Sequence, residues 1–83
     1  MKFKIKYVDE IPDGFIGMNW WAWKENIKTP YPYSKNTIII LKGMSDDMNE
    51  TTITHEKVEA ELMRLRKYKY HTAHIISNSL EEV

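Results

Sequence analysis

Polar and apolar residues alternate strictly at the start of the chain, in Lys2-Phe3-Lys4-Ile5-Lys6-Tyr7-Val8. A period of two puts Phe3, Ile5 and Tyr7 on one side and the three lysines on the other, which predicts a half-buried strand at a sheet edge. Asp9 to Gly14 follows as a turn, with Pro12 and Gly14 supplying its special dihedrals. Phe15 to Trp23 is rich in aromatic residues and predicts a second strand, kinked at Gly17, where the missing side chain admits a bulge or a close neighbour. On such a strand Trp21 and Trp23 share one face and Trp20 takes the other. Pro30 and Pro32 make Lys24 to Lys35 a loop. Asn36 to Lys42 is continuous and β-branched, and predicts a central strand.

The period changes after Gly43. Ser45 is a good helix N-cap, and Asp46 and Asp47 suit the first turn, where the helix dipole favours carboxylates. A helix is expected to about Lys67, with Val58, Leu62 and Leu65 as its inward stripe at i, i+4 and i+7. Basic residues Arg64, Arg66, Lys67 and Lys69 complement its C-terminal end. A second helix, about His71 to Glu82, is expected to turn Ala73, Ile76 and Leu80 inward. These elements predict an α+β fold, a small antiparallel sheet of about three strands packed by two C-terminal helices, with residues 1–83 forming one domain.

Eighty-three residues allow one core and a thin stability margin. No cysteine is present, so disulfides and thiolate metal sites are excluded and any metal must be held by His, Glu or Asp. The net charge is zero. No global field therefore recruits nucleic acid or a membrane, and the basic-aromatic run Arg64 to Tyr70 reads as a solvated helix end. The longest apolar run, Thr37 to Leu41, is far too short to span a bilayer. The alternating N-terminus builds no signal-peptide core, and the expected setting is cytoplasmic.

All three histidines lie in residues 51–74, beside a group of glutamates. His55-Glu56-Lys57-Val58-Glu59 is an H-E-x-x-E pattern in the predicted helix. His55 and Glu59 are four apart and share a face, while Glu56 projects about 100° away. That is how a helical metallohydrolase places two ligands and leaves an adjacent carboxylate as general base. His71 or His74 could supply a third ligand, and His74 is preferred because it lies inside the second helix. His55 and Glu59 border the core, so they need a partner: a metal ion, Arg64 or Lys69, or each other.

The order of strand, turn, motif helix and downstream histidine resembles the minimal gluzincin-like metallopeptidases of the ImmA/IrrE type. The segment that carries the resemblance is Thr52-Ile53-Thr54-His55-Glu56-Lys57-Val58-Glu59, behind a strand like Asn36 to Gly43. The resemblance implies His55 as first metal ligand, Glu56 as catalytic base, and Gly14 to Asn19 as a substrate-aligning edge strand. Glu59 stands where the family has its second histidine, and His74 or His71 where it has a downstream acidic ligand. Two histidines and one carboxylate still form a set that binds Zn²⁺ with an open fourth position, and the same set suits Fe(II).

The expected function is a zincin-like metal-binding protein, extending to a minimal metal-dependent hydrolase that uses metal-activated water. The alternative is a non-catalytic interaction or regulatory module. It would present Trp20, Trp21, Trp23, Tyr31 and Tyr33 to a peptide or protein partner, with the H-E-x-x-E pattern structural.

Overall fold

The computed structural model describes residues 1–81, without the side chains of residues 80 and 81. It is an α+β arrangement of three strands and three helices, two of them at the C-terminal end of the chain. The strands are β1 (Lys4–Val8), β2 (Gly17–Met18) and β3 (Thr37–Leu41), and the helices are α1 (Trp20–Asn26), α2 (Asp46–Arg66) and α3 (Tyr70–Glu81). The inward position expected of Leu80 and the helix end at Glu82 lie outside the described residues.

The sheet order is β1-β3-β2. β3 is central as expected, with Thr37, Ile38, Ile39 and Ile40 all buried. Successive side chains of a strand point to opposite faces, so this strand is covered on both. The sheet is mixed and not wholly antiparallel. β1 runs parallel to β3, with Ile5 opposite Ile38, because the chain between them returns through β2 and α1 before entering β3. β2 is antiparallel to β3, with Gly17 opposite Ile40 and Met18 opposite Ile39. On edge strand β1 Lys4 and Lys6 are exposed as expected, as is Lys2 just before it, and so is Tyr7, the last residue of its apolar face.

The expected second strand is cut to two residues, and its tryptophans stand on a helix. Asn19 is extended at φ −131° and ψ 167°, and its side-chain oxygen accepts from the Ala22 amide, which caps α1. An Asn cap satisfies an otherwise orphaned helix N–H. This local signal outweighs the strand preference of the aromatic residues behind it. Ala22 and Trp23 then point into the core with Ile11, Met18, Ile39, Met63 and Ala73. The Tyr-Pro-Tyr loop folds onto this cluster: the Tyr31 ring meets Trp23 edge-on at 5.3 Å and its hydroxyl donates to the Thr37 carbonyl at 2.6 Å.

α2 is capped by Ser45, whose hydroxyl accepts from the Met48 amide at 3.2 Å. Its inward face differs from the expected one. Leu65 is exposed and Val58 and Leu62 are half-buried, while Thr52, His55, Glu56, Glu59, Ala60 and Met63 are buried. Apolar periodicity misidentifies the face because the polar side chains here satisfy one another inside the protein. α2 ends at Arg66, and its cap, Lys67, adopts the left-handed conformation at φ 60°. Residues 67–69 then reverse the chain, and the Glu25 carboxylate of α1 receives the Tyr70 amide at the start of α3. α3 consequently packs along α2, with Ala73 and Ser77 buried.

A lysine in the left-handed region is strained by its Cβ, a strain that glycine relieves at some entropic cost to folding. Lys67→Gly is expected to raise stability by about 0.5–1 kcal/mol, and Lys67→Val to lower it, in urea unfolding followed by circular dichroism.

Candidate metal centre

Helix periodicity places His55 and Glu59 one above the other on α2, and the α2–α3 reversal carries His74 across to meet them. Glu59 Oε2 lies 2.9 Å from His55 Nε2 and 3.0 Å from His74 Nδ1, and the two imidazole nitrogens are 3.2 Å apart. These three residues form a group that could hold a metal ion. His55 and Glu59 are buried and His74 is half-buried. The third histidine, His71, is exposed on α3 outside the cluster. Arg64 is engaged with Glu61 at 2.8 Å and Lys69 is exposed, so the buried pair takes its partner from α3 instead.

The spacing suits the donor set. In tetrahedral Zn²⁺ sites with bonds of about 2.0–2.1 Å, neighbouring donor atoms stand about 3.3 Å apart. The three distances here describe a slightly contracted face of such a tetrahedron. The same residues line a cavity of about 180 Å³, which supplies room for a fourth ligand.

Glu56 lies beside the triangle and not in it. Its Oε2 is 3.9 Å from His55 Nε2, and its Oε1 accepts from Asn19 Nδ2 at 2.9 Å. It also lines the cavity, near enough to the donors to serve a molecule held there. Glu56 can reach this position because β2 approaches α2 closely at Gly17. A Cβ there would stand 2.7 Å from Thr52 Cγ2, closer than real Cβ contacts come, and a tight 3.0 Å from Glu56 Cγ, so any larger residue would push one of these side chains aside.

Asn19 is completely buried and has a second task besides capping α1. Its Nδ2 donates to Glu56 Oε1 and to Glu59 Oε1, at 2.9 and 3.1 Å. One amide thus bridges two carboxylates that would otherwise repel each other, and it presents them a donor without adding charge. Sequence reasoning placed this residue on a strand and missed it; the polar residue directly before an aromatic helix was the available signal.

Tyr70 was missed as well, since the helix was expected to begin one residue later. Its ring stacks on His74 at 5.1 Å and 26°, and its hydroxyl lies 3.3 Å from His74 Nδ1. Burial, followed by the Glu59 and Glu56 charges, pushes its phenol up to about 12. Tyr31 is shifted upward for similar reasons, burial first and Glu56 second. Both hydroxyls therefore keep their protons at neutral pH.

The aromatic group proposed as a partner surface is divided by the fold. Trp23 is core, while Trp20 and Trp21 are half-buried, with Lys35 Nζ 4.4 Å from the Trp20 ring and 5.5 Å from that of Trp21. Among the described residues no helix is long and apolar enough to cross a membrane. Compared with models of known protein families, with curated proteins and with solved structures, the chain finds no match.

Loss of Asn19 removes a helix cap and leaves two buried carboxylates short of a donor. Asn19→Ala is expected to destabilise by about 2–4 kcal/mol in denaturant titration. Asn19→Asp keeps the cap but brings a third carboxylate against the other two, so it should be relatively more stable in mild acid than at neutral pH. At the alkaline end the tyrosines dominate. A phenol whose folded pKa is raised binds its proton more tightly when folded, so its stabilising effect is complete below the unfolded value near 10 and is lost as pH climbs through about 12. Stability should fall across that interval, less steeply in Tyr70→Phe, with phenolate absorbance reporting the ionisation.

Proposed function

We propose that this chain is a zincin-like metal-binding protein that acts as a minimal metal-dependent hydrolase. The observation that carries the reading is the convergence of His55 Nε2, Glu59 Oε2 and His74 Nδ1 at one cavity, with the Glu56 carboxylate beside them. Zn²⁺ is the preferred ion, and Fe(II) suits the same two-histidine, one-carboxylate set. The likeness of the motif helix to the gluzincin-like ImmA/IrrE-type metallopeptidases supports hydrolysis of an acyl bond. A divalent ion in such a site lowers the pKa of water and polarises a carbonyl.

The chain's own groups have separable roles. His55, Glu59 and His74 would hold the ion at the wall of the cavity. Glu56 takes a proton from the attacking water and returns it to the departing amine or alcohol as the carbonyl–heteroatom bond breaks. Asn19 holds Glu56 and Glu59 in place by its two donated hydrogen bonds. Tyr70 stacks on His74 and restricts the imidazole's rotation.

The test is metal stoichiometry on protein first stripped with chelator. One equivalent of Zn²⁺ or Co²⁺ is expected, with about a hundredfold or greater loss of affinity in His55→Ala or His74→Ala, and weaker binding as the solution is acidified, because protons compete for the same donor atoms. Glu56→Gln should keep the metal and lose hydrolysis of an acyl substrate. Failure of the unmutated protein to bind either ion would leave His55, Glu59 and His74 as a hydrogen-bonded structural cluster. Undiminished hydrolysis by the Gln variant would remove Glu56 from the reaction.

A further inference from the structure

The cavity wall narrows what this centre can accept, an inference that rests on the metal-centre reading above. The ionisable groups lining the cavity are Glu56, Glu59, His55, His74 and Tyr70, and no lysine or arginine is among the described residues that line it. Two carboxylates offset the double charge of a divalent ion, so a loaded centre with neutral imidazoles has no surplus positive charge. Sites that bind phosphate or a free carboxylate normally place an arginine, a lysine or a helix N-terminus on the anion. The α2 N-terminus that borders this cavity already carries Asp46 and Asp47 and has its Met48 amide bonded to Ser45. The approaches to this centre are instead apolar. Phe15, Ile16, Met18 and Met48 form them, with Thr51 and Asn78 adding uncharged polar groups.

The dimensions point the same way. An apolar cavity of about 150 Å³ is enough to take up benzene. The cavity beside the three donor residues measures about 180 Å³, room for one side chain of branched-aliphatic or phenyl size. Phe15 is fixed in this wall by its edge-on contact with Tyr70, ring centroids 6.4 Å apart at 87°. Met18 is fully buried beneath it, whereas Met48 is 45% exposed and stands at the rim. Methionine adapts its shape at little cost, which lets the rim close on groups of different outline.

We infer that the site takes an uncharged acyl compound, an amide or ester whose carbonyl adjoins a branched-aliphatic or phenyl-sized group. That group sits between Phe15, Met18 and Met48, and phosphate esters and free carboxylates are rejected. The specificity of the centre is thus set by side chains from the β2 segment and the first turn of α2, none of which holds the ion.

The experiment uses the whole chain loaded with Co²⁺, whose visible absorption reports both the ion and anything that joins its coordination. Acetohydroxamate, isovalerohydroxamate and benzohydroxamate share one metal-binding head and differ only in tail. The two larger probes should bind about 10–100-fold more tightly than acetohydroxamate, the gain expected for burying an aliphatic or phenyl group. Methylphosphonate should bind more weakly than any of the three. Met48→Lys, at an exposed rim position, should cut the advantage of the larger tails and strengthen methylphosphonate binding at least tenfold. Equal affinity for the three hydroxamates, or tighter binding of methylphosphonate than of acetohydroxamate to the unmutated protein, would overturn the inference while leaving the metal centre intact. Absence of any Co²⁺ absorption would overturn the centre itself, and the specificity with it.

Discussion

Glu59 is the residue on which the rest of the structure depends. A carboxylate only 1% exposed is costly to bury unless its oxygens are supplied with donors. Here the donors come from every helix: Asn19 at the cap of α1, His55 on α2 itself, and His74 on α3. Meeting the demand of this one side chain therefore fixes how the three helices stand relative to each other. In a domain of 83 residues, with little apolar surface to spare, that is an expensive way to build a core. The same feature is what a metal centre requires. Donor atoms already held within 3.2 Å of one another need little rearrangement to share an ion.

The arrangement also explains why α2 turns the less apolar of its faces inward. Thr52, His55, Glu56 and Glu59 occupy the inner face, and the strictly apolar packing is left to Ala60 and Met63 nearer the C-terminal end. Leu65 is consequently left at the surface. The sheet contributes through two residues of β2. Met18 belongs to the core cluster, and Gly17 lets the strand approach Thr52 and Glu56 more closely than a Cβ would leave undisturbed. The approach of strand to helix thus shapes the cavity wall and sets the position of the carboxylate beside the donors.

How much of this was legible depended on how local each signal was. The alternation of residues 2–8, the β-branched run at 37–41 and the Ser45-Asp46-Asp47 helix start are short-range patterns, and all three elements form where those patterns lie. The H-E-x-x-E spacing was equally local, and His55 and Glu59 do meet on one helix face. The aromatic run 20–23 misled because tryptophan favours strands on average, while a single Asn cap decides otherwise at this position. The inward stripe of α2 misled because a periodicity rule assumes that polar residues want water. Here they are met by Asn19 and His74, from parts of the chain far away in sequence.

By itself the amino-acid sequence determined an α+β chain without thiol chemistry, a central strand, a long motif helix and the pairing of His55 with Glu59. Those follow from backbone propensity, capping and the 3.6-residue period, which act over one or two turns. Only the tertiary structure decided that β1 runs parallel to β3, that His74 comes within 3.0 Å of Glu59, and that Asn19 clamps both carboxylates. Each of these depends on the direction in which one element returns against another. For Asn19 and His74 that direction meets what a buried charge needs for partners, for β1 it follows from the return of the chain through β2 and α1, and no stretch of neighbouring residues encodes either.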